Sequence, residues 1–188
     1  KSHLIGDIVT HRKRNKKPSI LLLGQHFTNA SDPLSQIKEL LDVKCKKERL
    51  LSQLNNYGVR VNEPVVIFID ALNENAGEEL WKNFLTDLIN EVEAFDYLRL
   101  VVSFRISQRK NWFYDLSHNS DYAVYHHKGF EGHEREACEY MFSSFGIGQP
   151  AWPVYGKEFS NPLFLIKYCR NHERKHRPMF FTDFWETI

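Results

Sequence analysis

The sequence predicts an α/β fold built around a mainly parallel sheet, and three observations carry that prediction. Val65, Val66, Ile67, Phe68 and Ile69 form an unbroken apolar run that ends on Asp70, the pattern of a strand buried on both faces. Two further short runs, Ile20 to Leu23 before Gly24 and Leu98 to Val102 before Ser103, Phe104 and Arg105, repeat the pattern. Between them lie stretches with apolar residues at helical spacing, and strands alternating with helices read as parallel βαβ units.

Each element follows from its residues. After Lys1 and Ser2, the residues Leu4, Ile5, Ile8 and Val9 fall on one helical face. Arg12, Lys13, Arg14, Lys16 and Lys17 then read as the solvated end of that helix, with nucleic-acid contact as the alternative. The first strand ends on Gly24, which puts Gln25 and His26 at its carboxyl end, as loop residues or as nucleotide contacts. Ser31 or Asp32 caps a helix with Pro33 in its first turn and Leu34, Ile37, Leu40 and Leu41 inward. Another helix, over 46–57, turns Leu50, Leu51 and Leu54 inward and takes Gly58 as its stop.

Past the central strand, residues 77–95 make the clearest helix, with Leu80, Trp81, Phe84, Leu85, Leu88, Ile89 and Val92 on one face. Residues 111–120 are a polar connection, and 122–126 alternate weakly as a shorter strand. Lys128, Gly129 and Phe130 turn into a helix over 132–145. Gly146, Gly148, Pro150 and Pro153 mark a break, which divides a sheet domain over 1–147 from the start of a helical one over 148–188. Asn161 caps a helix that opens on Pro162. The tail over 180–188, with Phe180, Phe181, Phe184 and Trp185, is apolar enough to require a partner surface.

Composition narrows the functional classes. With 42% apolar and 14% aromatic residues in 188, the chain can bury a core. Lys and Arg number 25 against 24 Asp and Glu, so no global field points to nucleic acid or a membrane surface. Cys45, Cys138 and Cys169 are odd in number and widely spaced, which signals neither a disulfide framework nor zinc and fits a reducing cytoplasm. His126, His127 and His133 match no metal spacing and read as surface residues. No apolar run approaches the roughly 20 residues of a membrane span.

The functional signal sits at the ends of strands. In an open α/β sheet the ligand crevice lies outside the carboxyl ends, which is where Asp70, Glu74 and Arg105 emerge. A carboxylate there can hold Mg²⁺ and a second can orient or deprotonate an attacking water, the Walker B arrangement of P-loop nucleotidases. The bland alternative is a buried strand ending in a polar turn.

In order along the chain, Lys1 and Ser2 followed by an amphipathic helix, ILLLGQHF, VVIFIDALNE, LRLVVSFR, the KGF turn and NPLFLIKYC resemble the STAND class of P-loop NTPases. The resemblance is closest to the NACHT type and to the antiviral STAND proteins of bacteria and archaea. It implies an ASCE-type P-loop NTPase, a three-layer sandwich with a mainly parallel sheet, followed by the start of a small helical domain. It also implies that Lys1 and Ser2 end a Walker A loop, Lys1 reaching the phosphates and Ser2 binding Mg²⁺. By the same resemblance Asp70 is the Walker B metal-site residue, Glu74 the catalytic acid/base, Arg105 a γ-phosphate sensor, and Pro162 the proline near adenine and ribose.

Two departures stand beside it. Asn73 occupies a place where NACHT proteins often carry Asp. The first strand and the loop glycines of the family are missing, so the expectation is a piece of a longer protein whose sheet lacks a middle strand and exposes two unpaired edges. The resemblance implies an ATP-binding and ATP-hydrolysing switch that couples sensing of a trigger, viral in this class, to homo-oligomerisation and effector activation in anti-phage defence. The alternatives are a nucleotide-binding scaffold without turnover and, less favoured, a nucleic-acid motor.

Overall fold

The computed structural model describes residues 2–74, 77–104, 122–148 and 155–172, which divide into two compact units at Ala123 and Val124. The first unit holds helix α1 (Ser2–Arg14), strand β1 (Ser19–Leu23), α2 (Pro33–Leu40), α3 (Lys47–Val61), β2 (Val65–Asp70), α4 (Gly77–Glu93) and β3 (Leu98–Val102). The second holds α5 (Glu134–Ser144) and α6 (Pro162–His172). Lys1, Arg105 and the apolar tail lie outside the described residues, as do the side chains of Ser2 and His3.

The three strands are parallel in the order β1-β2-β3, with Leu21 paired to Phe68 and Phe68 to Val101. Strand β2 is the middle one of the three and hydrogen-bonds to a neighbour on each side. All six of its residues are buried, as an apolar run on a central parallel strand requires. Successive side chains on a strand point to opposite faces, so the two faces of β2 belong to different layers. Ile67 and Ile69 join Ile37, Leu50, Leu80, Trp81 and Leu85 in the main core. Val66 and Phe68 meet Ile5 and Val9 of α1. Fully burying one such side chain stabilises by about 1.5–3 kcal/mol, and the edge contact of Phe27 with Trp81, centroids 4.8 Å apart, adds to it.

The basic end of α1 is only partly solvated. Arg12 donates from Nε to the Ser19 hydroxyl at 2.7 Å and from Nη2 to the carbonyls of Pro18 and Pro64 at 3.2 and 3.1 Å. It thereby ties the helix end to the starts of β1 and β2. Lys17 pairs with Glu63 at 3.3 Å, while Lys13, Arg14 and Lys16 are exposed.

Gly58 does not stop α3, which runs on to Val61 and is capped by Asn62 in a left-handed conformation with φ 52°. Its glycine serves a close approach instead, since a Cβ there would stand 2.9 Å from the Cβ of Tyr97. Residues 123–128 form no strand. Val124 is 40% and Tyr125 91% exposed, so the weak alternation has no buried face to settle on. The division of units also falls earlier than the glycine- and proline-rich break at 146–153. Cys138 and Phe142 of α5 pack with Phe159 and with Leu165 and Cys169 of α6, which makes α5 part of the second core.

Asp32 is the cap of α2, accepting from the Ser35 amide at 3.1 Å and the Ser35 hydroxyl at 2.7 Å, with Lys47 3.1 Å away. Burial pushes its carboxyl up, but the Ser35 hydrogen bonds and Lys47 outweigh that and hold it below the ordinary aspartate value. A depressed carboxyl stabilises the fold above its unfolded pKa of about 4 and loses that contribution as pH falls through the folded value. Asp32→Ala is therefore expected to cost about 1 kcal/mol in urea unfolding at pH 7. The difference from wild type should shrink in the same measurement below about pH 4.

Candidate functional site

The candidate site is the carboxyl end of β2. Parallel pairing brings the ends of all three strands to one side, with Leu23 opposite Asp70 and Ile69 opposite Val102. Asp70 is only 2% exposed. A carboxylate so buried needs a partner, and it has one in Ser103, just past the end of β3, whose hydroxyl donates to Oδ1.

The chain then leaves the strand abruptly. Ala71 has φ +59°, a left-handed conformation that costs an alanine roughly 1–2 kcal/mol. Its N–H donates to the Ser103 Oγ at 2.9 Å. The Ser103 N–H in turn donates to the Ile69 carbonyl at 3.0 Å, and the Ser103 carbonyl accepts from the Leu72 N–H at 2.8 Å. On the other side Gly24 is pressed against the same turn, since a Cβ there would lie 2.1 Å from the Ala71 carbonyl oxygen. Leu72 is fully buried in the main core and anchors the residues that lead on to Glu74. The Glu74 N–H closes the turn onto the Ala71 carbonyl at 3.0 Å, leaving Asn73 and Glu74 half-buried.

Of the residues expected to form a site, Asp70 and Glu74 are thus brought to one strand end, four residues apart. Gln25 and His26 occupy the short 3₁₀ turn after β1, both exposed, on the same side of the sheet. Lys1 and Arg105 lie outside the described residues, and Ser2 is described only as the first residue of α1. Pro162 belongs to the second unit and opens α6, with the Asn161 carboxamide oxygen accepting from the Leu163 amide at 3.0 Å. There the KGF and NPLFL segments meet. A Cβ on Gly129, which has φ +74°, would lie 2.1 Å from the Ser160 carbonyl and 3.0 Å from the Pro162 Cδ.

Ser103 and Ala71 match no motif in the sequence, and Gly24 is marked there only as the end of a strand. The available signal was a hydroxyl residue closing the strand next to one that ends in Asp. His126, His127 and His133 are exposed, and no cluster of three or more metal-ligating side chains occurs among the described residues. Burial pushes the thiols of Cys138 and Cys169 up to about 12 and about 11, with the neighbouring thiol adding to the shift at Cys138, which makes both poor nucleophiles at neutral pH. A hollow of about 320 Å³ between His26 and α2 is lined by Gln36. That side chain is committed to Thr28 and Ser31, donating to their carbonyls at 2.8 and 2.6 Å and accepting from the Thr28 amide at 2.8 Å.

Compared with protein-family models, with curated proteins and with solved structures, the chain gives no significant match.

The left-handed turn makes its own prediction. Ala71→Gly is expected to leave stability unchanged or raise it by up to about 1 kcal/mol, because glycine adopts positive φ without a Cβ penalty but is freer when unfolded. Ala71→Val should lower it by at least about 1 kcal/mol, since a β-branched residue is an outlier there. Urea unfolding of the two variants checks both.

Proposed function

We propose that the first unit is the Mg²⁺-ATP-binding core of a STAND-class, NACHT-like P-loop NTPase that hydrolyses ATP and acts as a switch. The observation that carries this reading is the carboxylate of Asp70 at the carboxyl end of the middle parallel strand, with Glu74 four residues on. Residues of the two types needed, a metal-holding and a proton-accepting carboxylate, share the strand end that faces the ligand crevice in open α/β sheets.

The donor chemistry suits the ion. Mg²⁺ is bound by one or two carboxylates together with phosphate oxygens and water, rather than by a cage of protein ligands. Asp70 supplies such an oxygen, and the hydroxyl of Ser2 is the second protein donor that the resemblance implies. Bound there, the ion would neutralise developing charge on the phosphates. Glu74 orients a water and accepts its proton. In this reading Lys1 and Arg105 address the β- and γ-phosphates. The output is self-association into a homo-oligomer in the cytoplasm, triggered by a viral protein, with nucleic acid and membrane not involved. Among the described residues no helix is long and apolar enough to cross a membrane.

A second reading, a scaffold that binds nucleotide without turnover, is favoured by the near-complete burial of Asp70 and by Asn73 beside Glu74. The two readings differ in what Glu74 does. Asp70→Ala is expected to abolish Mg²⁺-dependent ATP hydrolysis. Glu74→Gln should retain ATP while slowing hydrolysis by about 10²–10⁴-fold. Parental turnover in Asp70→Ala sinks the nucleotidase reading, and parental turnover in Glu74→Gln reduces Glu74 to a surface carboxylate.

A further inference from the structure

We infer that Ser103 is a positioning residue for Asp70: its hydroxyl, locked by the Ala71 amide, fixes the orientation in which the carboxylate is offered to a divalent cation. This rests on the nucleotide reading of the strand end and assigns that site a residue from the neighbouring strand. A serine hydroxyl has one proton and two lone pairs. The Ala71 N–H, 2.9 Å away, takes a lone pair, so the proton is left to point at the Asp70 Oδ1.

The hydroxyl cannot drift, because the Ser103 backbone is held on both sides, its N–H by the Ile69 carbonyl and its own carbonyl by the Leu72 N–H. One residue therefore grips four consecutive positions, Ile69 to Leu72. The left-handed backbone of Ala71 belongs to the same device, since it carries the chain out of the ladder at the point where its amide meets β3. Gly24 closes the turn from β1, where no side chain fits against the Ala71 carbonyl. The result is a carboxylate whose Oδ1 is engaged by Ser103 and whose rotamer is set before any ion arrives. Mg²⁺ demands near-ideal octahedral geometry, so a preset oxygen favours it more than a freely rotating one. Loss of an outer partner that orients a metal ligand typically costs about 10–100-fold in metal affinity.

The test compares Ser103→Ala, Ser103→Thr and Asp70→Ala. Ser103→Ala is expected to raise the Mg²⁺ concentration for half-maximal ATP hydrolysis by about 10–100-fold. ATP affinity measured by calorimetry in EDTA should stay unchanged, and hydrogen exchange at the Ala71 amide should speed up. Ser103→Thr, which keeps the hydroxyl, should restore both the Mg²⁺ requirement and the amide protection. A residue that only supported the fold would shift metal-free ATP affinity along with the Mg²⁺ requirement. An unchanged Mg²⁺ requirement in Ser103→Ala, with Asp70→Ala inactive, overturns the positioning role and leaves the nucleotide reading standing. Full Mg²⁺-dependent activity in Asp70→Ala overturns both. Should Ser103→Ala not fold, Ser103→Cys, close in shape but a poorer donor, is expected to shift the Mg²⁺ requirement in the same direction, and an unchanged requirement there also overturns the role.

Discussion

Strand β2 is hydrogen-bonded along both edges and covered on both faces, and the rest of the first unit is arranged to keep it so. Its interior is apolar without alternation, so the apolar run alone does not fix its register, because a slip of one residue still buries apolar groups on either side. The register has to come from the ends. At the amino end Arg12 holds the Pro64 carbonyl together with Pro18 and Ser19. At the carboxyl end Ser103 holds Ile69, Asp70, Ala71 and Leu72. A polar clamp at each end thus sets which residue emerges from the sheet, and that residue is Asp70. Fold and site therefore depend on the same contacts.

Much of this was legible in the residues. The continuous apolar run before Asp70 specified a central parallel strand, and period alone marked α4 and the inward faces of α2 and α3. Asp32 and Pro33 announced the start of α2, as Asn161 and Pro162 did for α6. The departures share a cause, which is that sequence patterns report local preference and not what lies across the fold. Gly58 looks like a helix stop, but tertiary crowding by Tyr97 is what excludes a side chain there. Gly24 looks like the end of a strand, and the Ala71 carbonyl is the reason for it. Arg12 reads as one cation in a solvated run until its carbonyl partners, one of them 52 residues away in sequence, are in place. Ser103 carries no signal beyond its position, since its role exists only when β3 lies beside β2.

The second unit is held by different means. Its core is aromatic, with Phe142 stacked on Tyr168 at 5.7 Å and Phe159 edge-on to Tyr168 and Phe164 at 5.2 and 5.3 Å. The helix-opening turn at Asn161 and Pro162 is locked to the Gly129 turn by the Phe130 N–H, which donates to the Ser160 carbonyl at 2.7 Å. The break expected from glycine and proline density therefore lies inside this unit, because α5 has apolar partners in α6. Density of turn-forming residues marks a loop, whereas shared burial decides a domain.

We propose that a metal–nucleotide complex sits at the carboxyl ends of the strands, against Asp70. Paramagnetic broadening tests it directly. Mn²⁺ with ATP, added to isotope-labelled protein, is expected to broaden the amide signals of Gly24, Ala71, Leu72, Glu74 and Ser103 most strongly, and those of Ser19, Val65 and Leu98 at the opposite ends of the same strands much less. Broadening centred on those amino ends, or signals of Asp70 and its neighbours that remain sharp while nucleotide is bound, would contradict the account.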